Sequence, residues 1–118
     1  MEIRIIDIIG RSVVSRVSGE KLRVEIEKQI GSSKIIMNFE DVEFYASPFF
    51  NTSIAPFFEH YDLEILQSKF EFINMTPVGR NLLNQVIHNA IDFYSKSAEE
   101  QDSLTKKVET GLNDFKEE

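Results

Sequence analysis

Two hydrophobic periods alternate along this chain, and that alternation constrains its fold more than any other feature. Short runs of apolar residues, too short for helices, are interleaved with stretches whose apolar residues recur every three or four positions. Residues 3–9 hold Ile3, Ile5, Ile6, Ile8 and Ile9 around Arg4 and Asp7, a β-rich run stopped by Gly10. Val13-Val14 reads as a short return arm. Ser18 is placed to cap a helix from Gly19 to Ile30, with Leu22, Ile26 and Ile30 as its stripe and Gly31 as its stop. Lys34 to Phe39 has the near-continuous apolar character of a buried strand. A loop over Glu40 to Ala46 leads to Ser47-Pro48, a helix start, and the helix continues towards Tyr61 with Pro56 dividing it. Lys69 to Ile73 alternates as a half-buried strand does. Thr76-Pro77 opens the cleanest stripe in the chain, Val78, Leu82, Leu83, Val86, Ile87, Ala90, Ile91 and Tyr94. The order β–(β)–α–β–α–β–α predicts an α/β fold: a small mixed sheet of about four strands with helices packed on it.

Domain organisation follows from a change near residue 96. Residues 1–96 carry a net charge of −3, and 97–118 a net of −4 with only Ala98, Leu104, Val108, Leu112 and Phe115 as apolar residues. The expected division is a folded domain over 1–96 and an acidic tail over 97–118. The stripe Leu104, Val108, Leu112 and Phe115 and the capping pair Ser97 and Glu100 make that tail either an amphipathic helix or a disordered end. If helical it needs a surface to dock on, since an isolated helix of that length is marginal in water.

Composition excludes several function classes. The chain has no cysteine, so disulfides, thiolate metal sites and a cysteine nucleophile are absent. Its net charge of −7 argues against binding nucleic acid through a basic face. No apolar run is long enough to span a membrane. Met1-Glu2-Ile3-Arg4 lacks the features of a secretory signal, so a soluble cytoplasmic domain is expected. The five glycines form no phosphate-binding loop, and His60 and His88 stand without partner motifs and read as solvated helical residues. No catalytic residue, cofactor or metal site is expected. Arg11, Arg16, Lys21 and Arg23 form an early basic cluster that either reads a phosphate or an acidic partner or is a solvated helix start. Seven aromatics, Phe44, Tyr45, Phe49, Phe50, Phe57, Phe58 and Tyr61, crowd into eighteen positions. Most should be core, with some left over as an exposed patch for a partner or a second copy.

The segment Ile35 to Tyr61, IIMNFEDVEFYASPFFNTSIAPFFEHY, resembles the STAS-like family, formerly a domain of unknown function and related to the STAS domains of anti-sigma-factor antagonists. The strand Ile35-Ile36-Met37, the step Asn38-Phe39-Glu40-Asp41-Val42 and the turn Ala46-Ser47-Pro48 carry the likeness. Ser15-Arg16, Phe72-Ile73-Asn74 and Val86-Ile87 resemble its flanks, so the resemblance covers about Ile3 to Tyr94. It implies a non-catalytic regulatory module that binds a protein partner, by family implication an ATP-binding regulatory kinase of the anti-sigma type. It also implies a phosphoserine switch in the turn, but here the phosphorylated position falls on Pro48, the Asp before the turn is Ala46 and the strand-end Asp is Asn38. Ser47, Thr52 and Ser53 remain as candidate switch hydroxyls, and Ala46, Pro48, Phe49, Phe50, Asn51 and Arg16 as candidate partner-binding residues. The alternatives are a small-molecule or nucleotide-binding domain, or a structural homodimer built on the aromatic patch.

Overall fold

The computed structural model describes residues 1–95. Its elements are β1 (Glu2–Arg4), α1 (Ile5–Ile8), β2 (Ser12–Val13), α2 (Arg16–Gln29), β3 (Ile35–Asn38), β4 (Phe44–Tyr45), α3 (Ser47–Ser53), a 3-10 helix (Ala55–Glu59), α4 (Leu63–Lys69), β5 (Phe70–Ile73) and α5 (Pro77–Ser95). The α/β class is as the alternation implies. The tail proposed over 97–118 lies outside the described residues.

The sheet differs from expectation in size and direction. β1, β3 and β5 form a three-stranded sheet with β3 in the middle, and β2 and β4 form a separate two-stranded one. Every pairing is parallel, so the sheet is not mixed. The second strand is not the return arm of a hairpin: Ser12 and Val13 pair with Phe44 and Tyr45, far away in sequence. Helical crossovers, which parallel neighbours require, connect β1 to β3 and β3 to β5.

The isoleucine run at residues 3–9 is strand only as far as Arg4, which pairs with Asn38, the last residue of β3. With no partner strand beyond, the chain turns into the one-turn helix α1. Ile5 is fully buried there, and its carbonyl accepts from the amides of Ile9 (2.9 Å) and Gly10 (3.4 Å). Gly10 completes the turn at φ +114°, a conformation side chains oppose.

α2 begins earlier than Ser18. Ser15 is the N-cap, and its hydroxyl oxygen accepts from the Ser18 amide at 3.0 Å. Leu22, Ile26 and Ile30 are buried as the stripe predicts. The helix after Ser47-Pro48 is divided at Pro56 as expected: α3 ends at Ser53 and a 3-10 helix contains the proline. α4 was not foreseen. It is capped by Asp62, whose carboxylate accepts from the Ile65 amide at 3.0 Å, and it buries Leu63 and Leu66. α5 starts where Thr76 Oγ1 accepts from the Gly79 amide, 3.1 Å. Its inner face is Leu83, Val86, Ile87 and Ala90, whereas Val78, assigned to that stripe from spacing, is 62% exposed.

One core joins these elements. Phe39, Phe49 and Phe50 are fully enclosed, and Phe57, Phe70 and Phe72 make edge-on contacts at 5.7 and 6.1 Å between ring centres. Asn38 ties the strand ends together: its amide donates to Glu2 (2.8 Å) and its Oδ1 accepts from Asn74 (2.9 Å) and the Glu40 amide (3.0 Å). No helix among the described residues is long and apolar enough to cross a membrane.

Candidate interaction surface

α2 and α3 touch along Gly19. A Cβ there would lie 2.5 Å from the Phe49 carbonyl oxygen and 2.8 Å from Thr52 Cβ. Glycine therefore lets the two helix backbones approach closely and sets α3 beside the first turns of α2. On the solvent side of this contact lies an open groove of about 860 Å³, lined by Ile8 of α1, Arg16, Val17, Glu20, Lys21, Val24 and Glu25 of α2, and Thr52 of α3. Val17 and Val24 follow one another at i, i+7, so they share a face of the helix. Val17 is 71% and Val24 41% exposed, and Val14 just before the helix is exposed as well. This aliphatic strip lies off the buried Leu22–Ile26–Ile30 stripe, and water covers it in the described part of the chain.

The candidate residues of the turn divide sharply around this groove. Thr52 and Arg16 line it together. Thr52 Oγ1 donates to the Pro48 carbonyl at 2.9 Å. Pro48 and Asn51 are exposed, and Ala46 and Ser47 are half-buried. Ala46, not Ser47, is the N-cap of α3; Ser47 is its first residue. Phe49 and Phe50 are fully buried, so their assignment to a partner-binding surface is corrected: at this helical phase they face inward, onto each other with ring centres 5.2 Å apart. Ser53 is corrected likewise as a switch residue. It is completely enclosed, and its hydroxyl has no hydrogen-bond partner among the described residues.

The aromatic crowd is mostly interior. Phe57 and Phe58 are buried and Tyr45 and Tyr61 half-buried, which leaves Phe44, at 58% exposure, as the exposed member of the seven. A homodimer built on that patch loses most of its material. Tyr45 packs its ring on Gly79, where a Cβ would fall 2.5 Å from ring atom Cε2. Its hydroxyl is buried, and burial pushes the phenol above its ordinary pKa, with hydrogen bonding to Thr76 and the positive charge of Arg80 offsetting part of the rise.

Sequence reasoning missed Ile8, Val17 and Val24. The signal was there in α2: Val17 and Val24 stand at heptad spacing on a helix whose core stripe does not need them. Lys21, noted only within a basic cluster, lies between them.

The described fold carries parallel β–α crossovers on a small central sheet, with a short helix following the turn after β3. Comparison with protein families matches residues 18–80, just over half of the chain, to a STAS-like domain of unknown function. The chain belongs to this STAS-like family. The match runs from the first turn of α2 to the first turn of α5. It thus takes in Asn38, the Ala46–Ser53 segment and the Glu20–Thr52 part of the groove, a narrower stretch than Ile3 to Tyr94. Ile8, Arg16 and Val17 fall outside it. No curated protein and no solved structure matches the chain.

Proposed function

We propose that this STAS-like chain is a non-catalytic regulatory module that binds a protein partner through the groove between α1, α2 and α3. The observation that carries the reading is the exposed pair Val17 and Val24 beside half-buried Ile8, flanked by Arg16, Lys21 and Thr52. Exposed apolar strips with a polar rim are what transient protein interfaces use. The partner class we propose, an ATP-binding regulatory kinase, follows from the resemblance to the STAS domains of anti-sigma-factor antagonists. Switching by phosphorylation then rests on Ser47 and Thr52, because burial removes Ser53 from any kinase's reach.

The test is affinity capture with the full chain and with a Val17→Asp/Val24→Asp variant. Both substitutions are at exposed positions, so each should alter stability by no more than about 0.5 kcal/mol. The reading expects a stoichiometric ATP-binding partner on the native chain and its loss from the variant. Equal retention by a folded variant would remove the groove from the interface.

A further inference from the structure

The charges on the rim of the groove are not all engaged. Its acids are paired along α2, Glu20 with Arg23 and Glu25 with Lys28 at 3.3 Å. Its cations, Arg16 and Lys21, are exposed and have no ion-pair partner among the described residues. By helical phase Lys21 stands to one side of Val17 and Val24, and Arg16 to the other. The two cations therefore bracket an apolar strip and do not converge on one point. That arrangement complements carboxylates set on both sides of an apolar stripe, and not a single phosphate.

The strip also has a length. Val17 and Val24 stand at i, i+7, about 10 Å apart along the α2 axis. A helix laid beside α2 covers that distance with its own apolar residues at i, i+3 or i+4, and i+7. A second copy of this chain is a poorer complement: it would bring the same patch, whose acids are already engaged.

We propose that the groove takes an acidic amphipathic helix of its protein partner, laid along α2 with its apolar stripe on Val17 and Val24 and its flanking carboxylates paired with Arg16 and Lys21. This rests on the groove being the partner site, and adds what the partner presents there.

The experiment titrates the ¹⁵N-labelled full chain with synthetic peptides of about 18 residues, long enough to become helical on docking. One has a leucine stripe flanked by glutamates. A second has the same stripe flanked by lysines. A third has the composition of the first in an order that breaks the stripe. The proposal expects the glutamate peptide to shift the amides of Val17, Lys21, Val24 and Thr52, with an affinity that falls as salt rises. The lysine peptide should bind about tenfold more weakly. Arg16→Glu/Lys21→Glu, at exposed positions, should invert that preference, and Val17→Asp/Val24→Asp should bind neither peptide. Equal binding of the glutamate and lysine peptides would overturn the proposal, as would equal binding of the ordered and shuffled ones, shifts away from the groove, or no binding. Groove resonances that vary with protein concentration before any peptide is added would overturn it in favour of a second copy. No natural partner is present in this experiment, so its failure leaves the groove as partner site standing. Conversely, a partner captured equally by Val17→Asp/Val24→Asp would end the partner reading even where the glutamate peptide binds the groove.

Discussion

At the scale of single residues, two buried hydroxyls, those of Ser53 and Tyr45, are informative. Ser53 Oγ, on the last residue of α3, is enclosed and forms no hydrogen bond among the described residues, so it bears an unoffset desolvation cost there. Removing an unsatisfied buried polar group recovers part of a penalty of about 1–3 kcal/mol. Ser53→Ala should therefore leave stability unchanged or raise it by about 1 kcal/mol in denaturant titration; a loss of that size would mean the hydroxyl has a partner. Tyr45 gives a pH signature. Its phenol pKa is raised by burial, so the folded state holds the proton where the unfolded state, with a value near 10, releases it. The associated stability is complete below about pH 10 and is lost as pH rises through the folded-state value. Tyr45→Phe lacks that loss. Its melting temperature, measured from pH 7 to 11, should gain on the native protein's only in the alkaline range. Parallel curves for the two would contradict the assignment.

Elements were legible in the sequence to the degree that their own residues specified them. α2 and α5 were found because an apolar stripe followed a start signal, and β3 because its run is almost continuously apolar, and Leu22, Ile26, Met37 and Leu83 are buried accordingly. β4 was not found and β2 was read only as a hairpin's return arm, because two-residue strands carry no period and their pairing joins Ser12 to Phe44 across the whole of α2. α1 was read as strand because β-branched isoleucines favour extended backbone, and only the missing partner strand beyond Asn38 overrides that preference. α4 was overlooked because seven residues give only two buried positions, Leu63 and Leu66. The candidate site was half legible: Arg16 and Thr52 do meet, but Phe49 and Phe50 were assigned to the surface from their position after the turn, when helical phase turns them inward. The α2–α3 contact that builds the groove is testable in its own right. A Cβ at Gly19 meets backbone, which cannot rotate away, so Gly19→Ala should cost about 1–3 kcal/mol despite alanine's better helix propensity. Gly31→Ala, with open space around its Cβ, is the control and should stay within about 0.5 kcal/mol. A neutral Gly19→Ala would mean that the helices separate at little cost and that the groove is not rigidly shaped.

For the whole molecule, the described structure divides its apolar surface unevenly. The aromatic residues mostly serve the core, where rings of Phe39, Tyr45, Phe49 and Phe50 pack at 5.2 to 6.4 Å between centres. Along the groove, exposed Val17 and Val24 and half-buried Ile8 lie beside Arg16 and Lys21. Membership of the STAS-like family supplies the fold and agrees with a regulatory role. The groove supplies a surface through which such a role can be exercised. Under the proposed function this face, and not the buried phenylalanines of α3, meets the partner. The measurement that tests it most directly is capture from the native host with the full chain against Val17→Asp/Val24→Asp, with circular dichroism to establish that both are folded. The account predicts a stoichiometric ATP-binding partner on the native chain and none on the variant. The same partner held equally by both would contradict it.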